Sequence, residues 1–267
     1  MYRIYNLKSS SNVEVSSELG PFTVITHLQN LDLERDNPIK TYLESISGLK
    51  KRQLICNLGG SSVLVAEGMM QWMVGDCQLT ADNKGLLGYF NKKVRGKMTG
   101  QSLNASCYSG NGTIVLEPID GDILLVDLHQ KWAEGIVLDS SLFLACTNDV
   151  DQSTMMRSTA SSAMLGNEGL FSMTLAGKGI AALRLPCAKE ALVLIELEND
   201  TLKVDGNFAI AWSQSLEFTV DNAGKGVIAS TLSKEGLVNT YTGTGKILLA
   251  PILSNKQINS PKSAQIE

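Results

Sequence analysis

The sequence is poor in the residues and spacings that most often carry chemistry. Of its 267 residues only two are histidine, His27 and His129. No G-x-S-x-G, H-E-x-x-H or EF-hand spacing occurs, and each of those spacings is set by the geometry of its chemistry. The residue types of a Ser-His-Asp or Cys-His site are present, but no motif around either histidine indicates such a site. We therefore expect no catalytic residue, no cofactor and no metal site.

Cysteine usage excludes a disulfide framework. The cysteines are odd in number, widely scattered and without a C-x-x-C pair. Disulfide scaffolds have even counts in small secreted chains, and structural zinc sites have clustered thiolates or histidines. We expect buried, reduced thiols in a cytoplasmic protein at all five positions, which are Cys56, Cys77, Cys107, Cys146 and Cys187.

The sequence also lacks long apolar runs and a basic excess. No apolar run approaches 18 residues, and the N-terminus has no signal-peptide core, so we expect a soluble protein without a transmembrane helix. The net charge of −4 and the isoelectric point of about 5.3 speak against a general nucleic-acid binder, which needs a basic face. No nucleic-acid partner is expected.

What the sequence does contain is an internal repeat. "CYSGNGTIVLEPI" (107–119) and "TYTGTGKILLAPI" (240–252) agree at seven of thirteen positions, whereas unrelated sequences share about one. A weaker copy, "TLAGKGIAALRLP" (174–186), lies between them. A second marker, an acidic residue followed by glycine at Gly68, Gly135 and Gly206, keeps a similar spacing. Two markers in the same order, three times, predict a triplicated module.

The repeat and the strand signals together predict an all-β fold of tandem β-sandwich modules. Apolar segments such as "DILLVDL" (122–128), "ALVLIELEN" (191–199) and "LEFTV" (216–220) are typical of strands. The expected organisation is an N-terminal part at 1–53, repeats at 54–118, 121–186 and 191–252, and a disordered polar tail at 253–267.

The N-terminal part is expected to hold two strands and one short helix. "RIYNL" and "FTVITHL" are the predicted strands. "DNPIKTYLESISG" predicts the helix, with Asn37 as N-cap, Pro38 in the first turn and Gly48 as the stop.

The Gly-x-Gly-Lys at 243–246 admits two interpretations, a phosphate-binding loop or a turn. A P-loop needs a glycine where Thr240 stands and Ser or Thr where Ile247 stands. The lysine is also absent from the other two copies, so the recurring feature is the glycine pair. We predict type II′ hairpin turns between apolar strands at three glycine pairs, namely Gly110 and Gly112, Gly177 and Gly179, and Gly243 and Gly245.

One segment, "KGLLGYFNKKVRGKM" (84–98), is basic and apolar in an otherwise acidic protein. It is either a solvated loop whose apolar residues cover the core or a patch for anionic lipid or an acidic partner. The candidate contacts are Lys92, Lys93, Arg95 and Lys97. A further acidic pair, Asp149 and Asp151, is expected in a solvent-facing loop rather than at a metal.

Several recurring stretches resemble the Altered Inheritance of Mitochondria protein 24 family. They are "KGLLGYFNKKVRGKMTGQSL", "SGNGTIVLEP", "GNEGLFSMTLAGKGIAAL" and "EGLVNTYTGTGKILLAP", within about residues 54–252. The sequence departs from the family's pattern in having fewer glycines around 149–165 and an extra N-terminal helix.

This resemblance implies a β fold like that of the tryptophan RNA-binding attenuation protein (TRAP-like), repeated within one chain, and assembly into rings or trimers. It also implies a link, in eukaryotic relatives, to mitochondrial inner-membrane organisation. It supplies no catalytic residue, and no tryptophan or RNA site matches here.

Three functions therefore compete. The leading hypothesis is a non-enzymatic homo-oligomeric scaffold or binding module, with a trimer favoured and a protein partner as a further expectation. The second is peripheral association with an anionic membrane or acidic surface through 84–98. The third is an enzyme with a cleft between modules that no sequence pattern reveals.

Overall fold

A computed structural model of the chain describes residues 2–29, 31, 39, 42, 50–80, 105–156, 171–205, 208–222 and 237–252. Within these ranges the chain forms strands almost throughout, with one helix whose full bounds are described, α1 (Leu128–Lys131), and two short 3-10 helices, Ser140–Leu142 and Lys189–Ala191. The strands, in chain order, are β1 (Val13–Leu19), β2 (Phe22–His27), β3 (Lys51–Asn57), β4 (Ser62–Ala66), β5 (Met70–Thr80), β6 (Ala105–Leu116), β7 (Ile119–Asp120), β8 (Asp122–Asp127), β9 (Ile136–Asp139), β10 (Phe143–Thr147), β11 (Val150–Met156), β12 (Phe171–Gly177), β13 (Ile180–Leu185), β14 (Val193–Asp205), β15 (Ala209–Ser213), β16 (Glu217–Asn222) and β17 (Leu237–Leu249).

The described strands form two antiparallel sheets, which confirms the predicted all-β fold. The ten-stranded sheet runs β1-β2-β3-β6-β4-β10-β13-β8, with β5 beside β6 and β7 beside β3. The seven-stranded sheet runs β11-β12-β9-β15-β17-β14, with β16 beside β17. The predicted middle unit, 121–186, therefore contributes strands to both sheets.

Most predicted strands lie where the apolar pattern put them, as β2, β8, β14 and β16 show. The prediction for "RIYNL" is wrong, because those residues are not strand and the first strand is "VEVSSEL". That strand is largely exposed, so it carries little of the apolar signal that marks buried strands. Of the predicted N-terminal helix, Ile39 and Tyr42 are helical. The rest of it, and the tail at 253–267, lie outside the described residues.

The prediction of hairpin turns at the glycine pairs is wrong. Gly110 and Gly112 lie inside β6, and Gly243 and Gly245 lie inside β17. In the third case the chain passes from β12 of one sheet, through Gly177 and Gly179, to β13 of the other. At the first and third pairs the strand continues but its neighbours change, whereas at the second pair the chain leaves one sheet for the other.

The change of neighbours is the same in the two long strands. Before its glycines β6 pairs with β4, and after them it pairs with β3. Likewise β17 pairs first with β16 and then with β15. Each of these strands thus bends at its glycines and has a different neighbour on each side of the bend.

Glycine is required at the bend by both conformation and space. Gly110 has a φ of 115°, a region that residues with a side chain rarely adopt. A Cβ on Gly110 would overlap the backbone carbonyl of Asp76 on the adjoining strand β5. The close approach of the two backbones is what lets the strand turn without losing its pairing.

Apolar side chains fill three main cores. Phe22, Leu54 and Ile114 belong to the core inside the curled ten-stranded sheet, whose first strand β1 returns to touch β8. A second core, which includes Leu64 and Leu138, lies between the two sheets. Each fully buried residue of this size contributes about 2 kcal/mol.

The third core lies where the seven-stranded sheet folds over itself. Trp212 stacks on Phe218 with ring centroids 5.5 Å apart and meets Tyr241 edge-on at 5.3 Å. Ile247 is fully buried in the same cluster. Tyr241 lies before the glycines of β17, and Trp212 lies on β15, which pairs with β17 after them. The contact between the two rings therefore joins the two sides of the bend.

Replacement of Gly110 by alanine tests the role of the bend. We expect Gly110→Ala to lower the free energy of unfolding by more than about 3 kcal/mol, since it adds a backbone clash to an unfavourable φ. Gly60→Ala is the matched control, because Gly60 has a φ of 86° but open space around its missing Cβ, and it should cost about 1 kcal/mol. Urea unfolding followed by tryptophan fluorescence measures both. Equal losses in the two variants would contradict the steric role.

Candidate functional site

Neither histidine is placed for acid–base catalysis with a carboxylate. His27 Nε2 lies 3.2 Å from the Gln53 side-chain oxygen, and the amide of Gln53 donates to the Leu116 carbonyl and to Gln71, both at 2.8 Å. The partner of this imidazole is therefore a neutral amide, whereas the histidine of a Ser-His-Asp site has a carboxylate partner. His129 is exposed on α1.

Acidic side chains do not gather into a cation site within the described ranges. Asp149 lies in the turn before β11 and Asp151 lies within that strand, and both are exposed. The pair therefore sits at the surface, as the sequence predicted.

The five thiols are free. Cys56, Cys146 and Cys187 are buried, as predicted, whereas the prediction of burial is wrong for Cys77 and Cys107, which are half-buried. Burial raises the pKa of Cys146 to about 12 and raises the pKa of Cys56 further still. The amide of Gln152 donates to Cys146 Sγ at 2.8 Å, so the sulfur acts as a core acceptor. Because the thiolate is the form that attacks and ligates, these two cysteines are structural.

The predicted basic contacts Lys92, Lys93, Arg95 and Lys97 lie outside the described residues. The segment that contains them joins the end of β5 to the start of β6. Leu79, next to the last residue of β5, is exposed. None of the helices in the described part is both long and apolar enough to cross a bilayer.

A largely buried ion pair, which sequence reasoning missed, joins the predicted N-terminal part, 1–53, to the predicted second repeat. Arg52 Nε on β3 lies 3.2 Å from Asp122 Oδ1 at the start of β8. Arg52 also donates to the Gly121 carbonyl at 3.2 Å, and Asp122 Oδ2 accepts from the Lys189 backbone N–H at 3.2 Å. Asp122 therefore ties the start of β8 to β3 and to the short segment that precedes β14. The only sequence signal for it is a charged residue at the start of each of two apolar strands.

Two long strands have one edge without a partner among the described strands. β5 pairs with β6 alone, and β14 pairs with β17 alone. Both carry exposed apolar side chains, Met73 and Leu79 on β5 and Val193 and Leu194 on β14. A free edge presents backbone N–H and C=O groups to any strand that can pair with it. These edges are the surface best suited to bind another chain.

The arrangement is that of an all-β protein with two coupled sheets and free edge strands. The family model described as mitochondrial biogenesis AIM24 matches residues 45–252. The chain therefore belongs to the AIM24 family, which confirms the resemblance seen in its repeats.

Among solved structures, a crystal structure of protein SPYM3_0169 from Streptococcus pyogenes is similar. The alignment covers 79% of this chain and 91% of that one, with 23% identity and a TM-score of 0.55. Such a likeness shows a shared fold. No curated protein matches the sequence.

Mutation of Arg52 tests the buried pair. Arg52→Leu should lower the free energy of unfolding by about 3 kcal/mol, because it leaves the Asp122 carboxylate buried without its cation. Adding Asp122→Asn should recover part of that loss, since it removes the uncompensated charge.

The control is the exposed pair of Lys246 and Glu196, 3.2 Å apart. Lys246→Leu should change the free energy of unfolding by less than about 1 kcal/mol. Chemical denaturation of the unmodified protein and these three variants gives the comparison. A loss for Arg52→Leu no greater than that for Lys246→Leu would show that the buried pair is dispensable.

Proposed function

We propose that this protein is a non-enzymatic oligomeric β scaffold or binding module that works in the cytoplasm. The observation that carries the proposal is the pair of free, partly apolar edges on β5 and β14. In the described part of the chain, His27 has an amide partner and the thiols of Cys56 and Cys146 are fully buried. Free thiols fit a reducing compartment.

We further propose that the scaffold is one β unit repeated three times, at 54–118, 121–186 and 191–252, with a TRAP-like fold. Equivalent strand pairing supports it. The residue after the second glycine opposes a residue of the first strand of its own unit in every copy. The three opposed pairs are Thr113 with Asn57, Ile180 with Asp127, and Lys246 with Glu196.

Homo-oligomers, with a trimer favoured, are the assembly expected of such a unit. Size-exclusion chromatography with multi-angle light scattering should give a mass near three times the chain mass of 28.7 kDa. The apparent mass should fall on dilution, as mass action requires. A strictly monomeric protein at high concentration would rule out the oligomeric scaffold.

A second function, association with anionic surfaces, is favoured by the charge of 84–98. This segment holds five cations and no acidic residue in a chain of net charge −4. Exposed Leu79 places an apolar side chain close to where the segment begins. Basic residues interleaved with apolar ones bind anionic lipid by charge and by shallow insertion.

Flotation with vesicles that contain phosphatidylserine tests the second function. Lys92→Glu with Lys93→Glu should abolish flotation, because about 1 kcal/mol per charge is lost and then reversed. Lys131→Glu with Lys178→Glu is the matched control at two exposed lysines elsewhere. Flotation that the two double variants lose equally, or that the unmodified protein never shows, would end the proposal.

A further inference from the structure

Two strand pairings join the three predicted units, and each such pairing is called a junction below. The two junctions are identical in register. At the first junction β10 pairs with β4, and at the second β15 pairs with β9, each through three opposed residues. These are Ala145–Val65, Cys146–Leu64 and Thr147–Val63 at the first, and Ala211–Leu138, Trp212–Val137 and Ser213–Ile136 at the second.

The same hydrogen bond closes both junctions. Just beyond the three pairs the Asn148 N–H donates to the Ser62 carbonyl at 3.3 Å. In the second junction the Gln214 N–H donates to the Gly135 carbonyl at 3.0 Å. The junction is therefore a recurring unit of four backbone positions.

Strand β5 holds the place in the first unit that β10 and β15 hold in the others. In each unit one strand opposes the residue two positions after the second glycine. In chain order, the pairs are Met73–Ile114 on β5, Cys146–Ala181 on β10 and Trp212–Ile247 on β15. Met73 is therefore the counterpart of Cys146 and Trp212, both of which lie at a junction.

Strand β14 in turn holds the place of β4 and β9. Here the strand opposes the residue two positions before the first glycine. Its opposed pairs are Val63–Tyr108, Ile136–Leu175 and Leu202–Tyr241. The second half of β14 is therefore the counterpart of the other two junction strands.

The third junction that these counterparts could form is not made within the described chain. β5 and β14 lie in different sheets, and each keeps its outer edge without a described partner. Met73 is 40% exposed, whereas its counterparts Cys146 and Trp212 are 0% and 3% exposed. The position that Cys146 and Trp212 occupy is thus buried at both existing junctions, whereas Met73 at the same position of β5 is exposed to solvent.

We propose that β14 of one copy of this chain pairs with β5 of a second copy and forms the missing junction. Copying the register of the existing junctions fixes every contact. The expected opposed pairs are Trp72–Val204, Met73–Lys203 and Val74–Leu202, and the Gly75 N–H donates to the Thr201 carbonyl. This inference rests on the oligomeric scaffold proposed above and names its interface.

The side chains fit this register. The aliphatic stem of Lys203 covers Met73 while its ammonium stays in water. Each chain offers one edge of each kind, so the contact is head-to-tail and builds rings or, where the rotation does not close, filaments.

Directed disulfide formation tests the register. One protein carries Met73→Cys and the other Lys203→Cys, both with Cys77→Ser to remove the native thiol of β5. Opposed residues of antiparallel strands have Cα atoms about 4.5–5.5 Å apart, which suits a disulfide. Mixing and mild oxidation should give a covalent dimer, identified by mass spectrometry. Pairing Met73→Cys with Thr201→Cys, two residues out of register, should give little.

Charge variants give a second measurement on folded protein, because Met73 is exposed. Met73→Arg places a cation opposite Lys203 and should weaken assembly about tenfold relative to Met73→Glu, which places an anion there. Light scattering across a dilution series measures the difference. Equal assembly of the two variants would overturn the register.

The remaining outcomes separate this interface from the scaffold itself. An oligomer that forms no disulfide between residues 73 and 203 refutes the interface and leaves the scaffold standing. A monomer refutes both. A third protein carries both Met73→Cys and Lys203→Cys in one chain. If a disulfide forms within that chain at high dilution, the chain closes on itself, and the proposed pairing with a second copy is refuted.

Discussion

The structure depends on the glycine pairs, where the two long strands change neighbours and where, at Gly110, two backbones come unusually close. At Gly110 the long strand passes so near β5 that a single Cβ would collide with the Asp76 carbonyl. Because the strand bends there without breaking its pairing, one strand borders two layers. Gly177 comes similarly close to the Asp149 carbonyl, whereas Gly243 in β17 shares only the positive φ, at 124°. Without these bends the sheets would extend and leave their apolar faces open to water, and the cores would not close.

The bends also explain how the three proposed units can share sheets and a core. Each bend places a different neighbour on either side of the long strand, so the edge strands of one unit meet those of the next. The core that includes Leu64 and Leu138 is shared between the two sheets, and the Arg52–Asp122 pair ties the start of β8 to β3. Repeats coupled in this way gain stability from their neighbours as well as from their own cores.

The sequence predicts the composition of the fold better than its connectivity. Apolar runs such as that of β8 identify buried strands because burial selects Val, Ile and Leu. β1 escapes this rule because its side chains largely face water. The regular spacing of the glycine pairs is visible in the sequence, yet Gly-Asn-Gly is compatible both with the tip of a hairpin and with a bend within a strand. Only the long-range partners, β4 and then β3, distinguish the two.

The same limit applies to the site. The exposure of Met73 has meaning only when its counterparts are known to be Cys146 and Trp212, and strand pairing alone supplies that correspondence. Lys203 illustrates the balance of such an edge. A lysine on a free strand discourages random pairing between sheets, while in one register its stem still covers a methionine. A charged edge residue opposite an apolar one thus permits assembly with the correct partner and penalises most others. Selective assembly is what a scaffold requires.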